Sequence, residues 1–217
     1  MLDKNKIFCK RWDYTRKKLN RKNILKNPLK QFLSWYKEAN KDNKIYDANA
    51  FSLATVGFDC RPSIRTVLLR CVNQKGFIFF TNYKSVKSNE INNNPEVSLL
   101  FPWIALERQV KILGRAKKIS KEMSKIYFSN RPRSSCLSAW ASKQSMPVAS
   151  RLILNKRYEA MKRKFTKQDI PIPKHWGGYI INPYQYEFWQ GRKYRLHDRF
   201  LYEKNNKENW NIKRLYP

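Results

Sequence analysis

Three kinds of side chain that could do chemistry meet in RLHDR, residues 195–199: Arg195 and Arg199 flank His197, with Asp198 between. In an extended segment, Arg195, His197 and Arg199 project from one strand face. Two neighbouring cations disfavour imidazolium, so that face would present a neutral ring among fixed positive charges. Such a face suits an anionic substrate held beside an uncharged base or hydrogen-bond partner. A plain strand surface, or a hydrophilic turn, is the alternative. No serine-type triad is available, because no matching nucleophile motif occurs.

Three further stretches could bind an anion. In SIRTVLLR (63–70), Arg65 and Arg70 lie within an apolar strand, where an arginine needs an acidic partner, a ligand phosphate or an edge position facing solvent. Five residues apart, they fall on opposite strand faces unless a bulge intervenes. In YFSNRPRSS (127–135), Tyr127, Arg131 and Ser135 gather where a helix ends and Pro132 fixes a turn, though a plain helix-ending loop would read alike. SKQS (142–145) adds Lys143, Gln144 and Ser145, which a polar helix surface would also show. The chain has six glycines and no glycine-rich phosphate loop, so phosphate must be held by Arg forks and Lys charges. Two histidines and four scattered cysteines (Cys9, Cys60, Cys71, Cys136) lack metal-ligand spacing, and no metal is expected.

The elements that must position these residues are mostly short strands. Residues 1–27 form a basic arm, expected to be partly flexible, and 28–217 a single domain. Pro28 introduces a helix in which Leu29, Phe32, Leu33 and Tyr36 recur at helical spacing. Strands are predicted at 51–56, 63–72, 76–82, 97–103 and 107–119, with a hairpin turn at Asn73-Gln74-Lys75-Gly76. Helices are predicted in KSVKSNEINNN, in KEMSKIYFSN with Ser120 as its cap, and over 155–168. Strands return in GGYIINP, YEFWQG, RLHDRFLYEK and WNIKRLYP, the last two as a hairpin. Such a run predicts an α+β, mainly β chain, an antiparallel barrel with peripheral helices, and argues against a doubly wound nucleotide fold.

Forty-six Lys and Arg against sixteen Asp and Glu give a net charge of +30, which points to anionic partners. Aromatics interleaved with cations, as in KRWDYTRKK and WNIKRLYP, would suit a nucleic-acid module. The cations are nevertheless spread along the whole chain, no recognised nucleic-acid signature occurs, and abundant Lys, Asn and Ile point to composition bias, so no nucleic-acid partner is expected. No run of about 18 apolar residues and no signal-peptide core occurs, so a cytoplasmic protein without a membrane partner is expected.

In one order the chain carries RTVLLR, GFIFFTN, NNPEVSLLFPW, LERQVKILG, YFSNRPRSS, AWASKQS, HWGGY, EFWQG and RLHDRFLY. Together these resemble the FMN-dependent pyridoxine (pyridoxamine) 5′-phosphate oxidases, from about Arg11 to Pro217 and most densely over 62–150 and 176–217. The resemblance implies an FMN-binding split barrel and a homodimer with FMN at the subunit interface. It implies oxidation of pyridoxine 5′-phosphate or pyridoxamine 5′-phosphate to pyridoxal 5′-phosphate. Hydride passes to FMN, and O2 reoxidises the flavin to give H2O2. A barrel that keeps FMN but reduces another substrate is the nearest rival, which the phosphate loop and RLHDRF argue against.

Carried onto matching positions, the resemblance implies FMN contacts at Arg65, Thr66, Val67, Leu68, Leu69, Arg70, Phe80, Thr81, Lys87, Gln109, Gln144, Ser145, Trp189 and Arg199. Arg70, Tyr127, Arg131 and Ser135 would grip the substrate phosphate. Arg195, Leu196 and His197 would face the pyridine ring, with Arg195 and His197 as catalytic residues that orient and polarise, and His197 available as a proton acceptor. Arg11, Trp12, Asp13 and Tyr14 match a segment that closes over the substrate. Departures are Arg70, where the family commonly has Lys; Val86, where a basic residue commonly helps hold the FMN phosphate; and Cys136 and Ser138, in place of Gln and Gly.

Overall fold

The computed structural model of the chain describes residues 13–205 and 209–217. Arg11 and Trp12 lie outside the described residues. In chain order the elements are α1 (Pro28–Lys41), β1 (Ala50–Val56), β2 (Pro62–Leu68), β3 (Cys71–Asn73), β4 (Gly76–Asn82), α2 (Val86–Asn93) and β5 (Glu96–Trp103). Then follow β6 (Arg108–Lys118), α3 (Lys121–Ser129), α4 (Arg133–Ala141), α5 (Arg151–Lys164), β7 (Trp176–Gln190), β8 (Asp198–Lys204) and β9 (Trp210–Leu215). Backbone hydrogen bonds link the strands in the order β2-β1-β5-β6-β7-β4-β3, with β8 pairing β7 and β9. The β1–β2, β3–β4, β4–β7, β7–β8 and β8–β9 pairs are all antiparallel. The chain divides into two compact units, unit 1 (Met1–Ala48, Leu100–Ile112, Tyr184–Pro217) and unit 2 (Asn49–Leu99, Leu113–Pro183).

Unit 1 is built on α1 and the β7–β8–β9 meander. Asn27 caps α1, its side chain accepting from the Leu29 and Lys30 amides, and Pro28 supplies the first-turn φ. The buried face is Gln31, Phe32, Trp35 and Ala39. Phe32 packs on Phe101 (4.9 Å) and Trp103 (5.7 Å), and Trp35 meets the Phe188 ring edge-on at 5.3 Å. Of the periodic residues, Phe32 is core, while Leu33 is 40% exposed. The helix therefore presents a face rotated about one position from the one the apolar spacing marks. From Asp13 onward the arm is tied down. The Arg16 amide donates to Glu107 (2.9 Å) and the Leu19 amide to Asp198 (3.1 Å), and the Tyr202 hydroxyl reaches the Leu25 carbonyl (2.7 Å).

Unit 2 holds the β1–β2 and β3–β4 hairpins. Gln74-Lys75 form the turn between Asn73 and Gly76 as expected. Gly76 has φ 140°, and a Cβ there would lie 2.0 Å from the Ile181 carbonyl, so only glycine fits. Ser120 caps α3 through the Met123 amide (3.1 Å), also as expected.

Several boundaries differ from the sequence expectation, each for a local reason. The run 63–72 is two strands, because the Leu69 amide bonds Asn49 beside β1 while the Arg70 amide bonds Ile78 on β4. The chain thus changes pairing partner between adjacent residues. GGYIINP and YEFWQG are one strand, β7, which pairs β4 over 176–181 and β8 over 185–190. Residues 133–141 are helical (α4), a stretch for which the sequence reading named no element; the segment buries Cys136, Leu137 and Ala141 but carries no regular apolar stripe. The last helix runs Arg151–Lys164. β8 begins only at Asp198, so Arg195 and His197 do not share a regular strand face with Arg199. Lys193–Arg195 is a short 3-10 turn in which Tyr194 and Arg195 have φ 57° and 62°.

Candidate active site

In unit 2 a cavity of about 630 Å³ is walled by β2, the β2–β3 link, β4, α2, α3 and α4. Arg65, Arg70, Lys87 and Arg131 all line it, and no aspartate or glutamate does among the described residues. The partner switch at 69–70 explains how both β2-region arginines reach one cavity, against the expectation of opposite faces. Thr66, Val67 and Leu68 line it too, whereas Leu69 is 6% exposed and buries its side chain in the core. Phe80, Thr81, Tyr127, Ser135, Gln144 and Ser145 line it as well, while Gln109, Trp189 and Arg199 do not.

The four cations are not equivalent. Arg65 is half-buried and already paired: its Nη2 meets Glu90 at 3.0 Å, and its Nη1 reaches the Thr55 hydroxyl. Burial alone would raise the Glu90 pKa, but hydrogen bonds from Thr55, Ser63 and Arg65 bring it below the ordinary carboxylate value. Lys87 is 6% exposed, with the Thr81 and Ser85 hydroxyls as partners at 3.3 and 3.5 Å. Burial lowers its pKa, the nearby Arg65 adds to that, and Glu90 opposes it. Arg131 lies over the Trp176 ring at 4.7 Å and the Phe128 ring at 5.5 Å. Its Nη1 is buried with no hydrogen-bond partner among the described residues. A buried donor left unpaired costs about 1–3 kcal/mol, more when charged, so this cavity is built to receive an acceptor.

Aromatic rings and an amide shape the rest of the wall. Tyr127 stacks on Phe80 (3.8 Å, 8° between planes), and Phe80 on Trp176 (5.3 Å, 11°). The Gln144 Oε1 accepts from the Thr81 hydroxyl and the Asn82 amide, both at 3.3 Å, which orients the amide group. Ser145, at φ 71°, accepts from the Val86 amide (3.3 Å).

Unit 1 carries the remaining candidates. Tyr14, Trp189 and His197 form one cluster, with ring centroids 5.7 Å (Tyr14–Trp189), 5.7 Å (Tyr14–His197) and 4.6 Å (Trp189–His197) apart. A Cβ at Gly191 would lie 2.6 Å from the Tyr14 ring, so glycine is what lets Tyr14 close on this cluster. The Arg192 amide donates to His197 Nδ1 (3.1 Å). Burial lowers the His197 pKa, Arg195 adds to the effect and Asp198 opposes it. A neutral ring whose Nδ1 lone pair is taken carries its proton on Nε2. In that tautomer the ring offers Nε2–H as a donor.

Asp13, Arg195 and Leu196 are exposed, as is Gln109 on β6. Arg199 is held by Glu187 (Nε to Oε1, 2.8 Å) and by the Tyr216 carbonyl (2.8 Å), while Lys111 takes the other Glu187 oxygen at 2.7 Å. Glu90, Glu187 and Trp176 are site residues that the sequence reading missed. The signal available for the two acids was their scarcity in a strongly basic chain, since a buried acid there must serve a cation.

A family model described as pyridoxamine 5′-phosphate oxidase matches residues 37–165, and one described as the pyridoxine 5′-phosphate oxidase C-terminal dimerisation region matches 176–217. The pyridoxine/pyridoxamine 5′-phosphate oxidase of Aliarcobacter butzleri is 52% identical over 94% of this chain and 96% of its own length. That of Rippkaea orientalis is 49% identical over 97% and 99%. Among solved structures, PhzG from Burkholderia lata 383, in complex with tetrahydrophenazine-1-carboxylic acid, superposes with a TM-score of 0.84 at 25% identity, covering 90% of this chain and 95% of that one. A pyridoxamine 5′-phosphate oxidase-related, FMN-binding protein from Nostoc punctiforme superposes at 0.71 with 17% identity, over 89% of this chain and 100% of that one, and speaks for the fold alone. The fold is that of the split-barrel proteins, α+β and mainly β, and the chain belongs to the pyridoxine/pyridoxamine 5′-phosphate oxidase family.

Proposed function

We propose that the protein is an FMN-dependent oxidase of pyridoxine 5′-phosphate and pyridoxamine 5′-phosphate, acting as a homodimer with each FMN at the subunit interface. The observation that carries this reading is the unpaired, buried Arg131 Nη1 in a cavity with four cations and no acid in its described wall. A phosphate ester supplies the acceptor that donor lacks, and a second phosphate, on the flavin, fits beside Lys87. The wall thus suits FMN plus a phosphorylated substrate better than a neutral ligand. When bound, FMN would supply the two-electron acceptor for oxidising the substrate's alcohol carbon to the aldehyde, or its amine carbon to an imine that water hydrolyses to the aldehyde and ammonia, with O2 taking the electrons as H2O2.

The chain's own residues bind, orient and exclude water. Arg65 to Arg70, Phe80, Thr81, Lys87, Gln109, Gln144, Ser145, Trp189 and Arg199 are assigned to FMN. Arg70, Tyr127, Arg131 and Ser135 are assigned to the substrate phosphate, whose anchoring supplies binding energy for positioning the reacting carbon. Asp13 and Tyr14, with Arg11 and Trp12 before them, are assigned to closing over the substrate. Arg195 supplies fixed positive charge near the ring, beside Leu196, and His197 a hydrogen bond from Nε2.

Anaerobic addition of pyridoxine 5′-phosphate to the FMN-loaded protein is expected to bleach the flavin band, with air restoring it as pyridoxal 5′-phosphate appears. Flavin that binds and stays oxidised would overturn the substrate assignment.

Two quantitative results are expected at this site. Because protonation of His197 destroys the Nδ1 acceptor, and its pKa lies below the ordinary 6.5, kcat/KM is expected to be flat above that pH and to fall below it as the ring is protonated. A pH–rate profile in which the His197→Asn variant loses that acid limb checks it. Val86 lines the cavity and is 47% exposed, so Val86→Arg is expected to tighten FMN binding about tenfold through one added charge-assisted contact. Titration of FMN fluorescence measures this.

A further inference from the structure

Unit 1 holds a second concavity, about 400 Å³, whose wall includes Tyr14, Lys17, Lys18, Arg192, Lys193 and Tyr194 and no acidic residue among those described. Two of its cations have carboxylate partners, and both carboxylates are shared. Glu38 meets Lys17 at 2.7 Å and also Arg108 at 3.0 Å. Asp198 meets Arg192 at 3.8 Å and also Arg214 at 2.8 Å. No ion pair within 4 Å engages Lys18 or Lys193 among the described residues, so the pocket keeps a surplus of at least two positive charges. A phosphate monoester carries about −1.5 to −2 near pH 7, which matches that surplus.

The backbone here is also held in an unusual form. Tyr194 and Arg195 are consecutive non-glycine residues in the left-handed region, and Tyr194 is 83% exposed. Such conformations are costly and persist where the surroundings over-determine them, commonly at ligand sites. One wall of the pocket, Tyr14, is also the residue that packs on Trp189 and His197, and the Arg192 backbone holds the His197 ring. The pocket is therefore contiguous with the cluster assigned above to the substrate ring.

We propose that this pocket is an encounter site: it captures a phosphate monoester dianion by its phosphate, beside Tyr14, before the ester reaches the position where it reacts. The proposal rests on the oxidase reading for the identity of the ester. It assigns Lys18 and Lys193 to capture alone, with no part in the reacting geometry. A local positive field of this kind raises association rates about 10- to 1000-fold and weakens steeply with salt.

The test is stopped-flow association of pyridoxal 5′-phosphate with the FMN-loaded full chain, followed by protein fluorescence, together with steady-state turnover. Lys18→Gln/Lys193→Gln is compared with a control pair of the same charge change on α5, Lys156→Gln/Lys162→Gln. The pocket pair is expected to lower the association rate and kcat/KM about tenfold at low ionic strength, with kcat unchanged, and the loss is expected to vanish near 0.5 M salt, where screening is short-ranged. The control pair is expected to shift both by less than about twofold, as distant surface charges do. Equal losses in the two pairs would reduce the effect to net charge and overturn the proposal, as would a loss confined to kcat. Association needs no turnover, so a protein that binds the ester by this lysine-dependent route yet never oxidises it would sink the oxidase reading and leave the pocket standing.

Discussion

Replacing Arg131 by leucine is expected to lower kcat/KM for pyridoxine 5′-phosphate about a hundredfold while leaving the chain as stable as before, or more so. The activity loss follows from removing a charged donor from the phosphate, worth about 1.5–3 kcal/mol per hydrogen bond, with each 1.4 kcal/mol a factor of ten. The stability result is the sharper of the two. Arg131 buries an Nη1 that meets no acceptor among the described residues, so the folded chain carries a desolvation cost with no return until a ligand arrives. Leucine keeps apolar contact with the Trp176 and Phe128 faces, losing a cation–π interaction of about 0.5–1 kcal/mol but removing that cost. Thermal denaturation beside steady-state kinetics checks both halves. A variant that melts several degrees lower would mean that Arg131 is structural and the anion reading of the cavity is wrong.

The second large effect concerns Glu90, whose removal is expected to cost about 2–3 kcal/mol and lower Tm by roughly 5–10 °C. Its carboxylate accepts from Thr55, from Ser63 (2.7 Å) and from Arg65 (3.0 Å). Glu90→Ala would leave the part-buried Arg65 guanidinium without its counter-charge and the Thr55 and Ser63 hydroxyls without their carboxylate acceptor. A fully buried pair would cost more, but the Arg65 and Glu90 side chains keep 21% and 13% of their surface exposed, and solvent screens the remainder. The pH dependence has a definite sign. The folded-state pKa lies below the ordinary 4.5, so the stabilisation is present above that value and is lost as pH falls through the lowered one. Acid melting curves of Glu90→Ala and the parent protein are therefore expected to converge at low pH. Glu90→Gln, which keeps one acceptor oxygen, is expected to recover part of the loss at neutral pH.

Most of the fold was legible because its signals are local. Asn73-Gln74-Lys75-Gly76 announces a hairpin that only glycine can close, and Ser120 announces a helix start. What escaped depends on partners distant in the chain. Nothing between Leu69 and Arg70 marks a change of pairing from β1 to β4, yet that change carries both arginines to one cavity. α4 escaped because its buried residues, Cys136, Leu137 and Ala141, follow no sustained period. At the site, the cations and hydroxyls could be read by type and order. Their hierarchy could not: Arg65 is matched by Glu90, Lys87 only by hydroxyls, and one nitrogen of Arg131 by nothing described. Likewise the sequence offers His197 as base or donor, and the backbone amide that meets its Nδ1 could not be read from it.

The stacked rings beside Arg131 have an optical consequence. Tyr127, Phe80 and Trp176 lie nearly parallel, and the guanidinium sits over the indole. Chromophores in fixed, close orientation couple, so this corner should contribute to the aromatic circular dichroism of the chain. An anion drawn to the guanidinium would reduce its field on the indole and move the Trp176 band. The protein thus contains its own indicator of cavity occupancy, readable in apoprotein with a colourless phosphate ester and before any flavin is added.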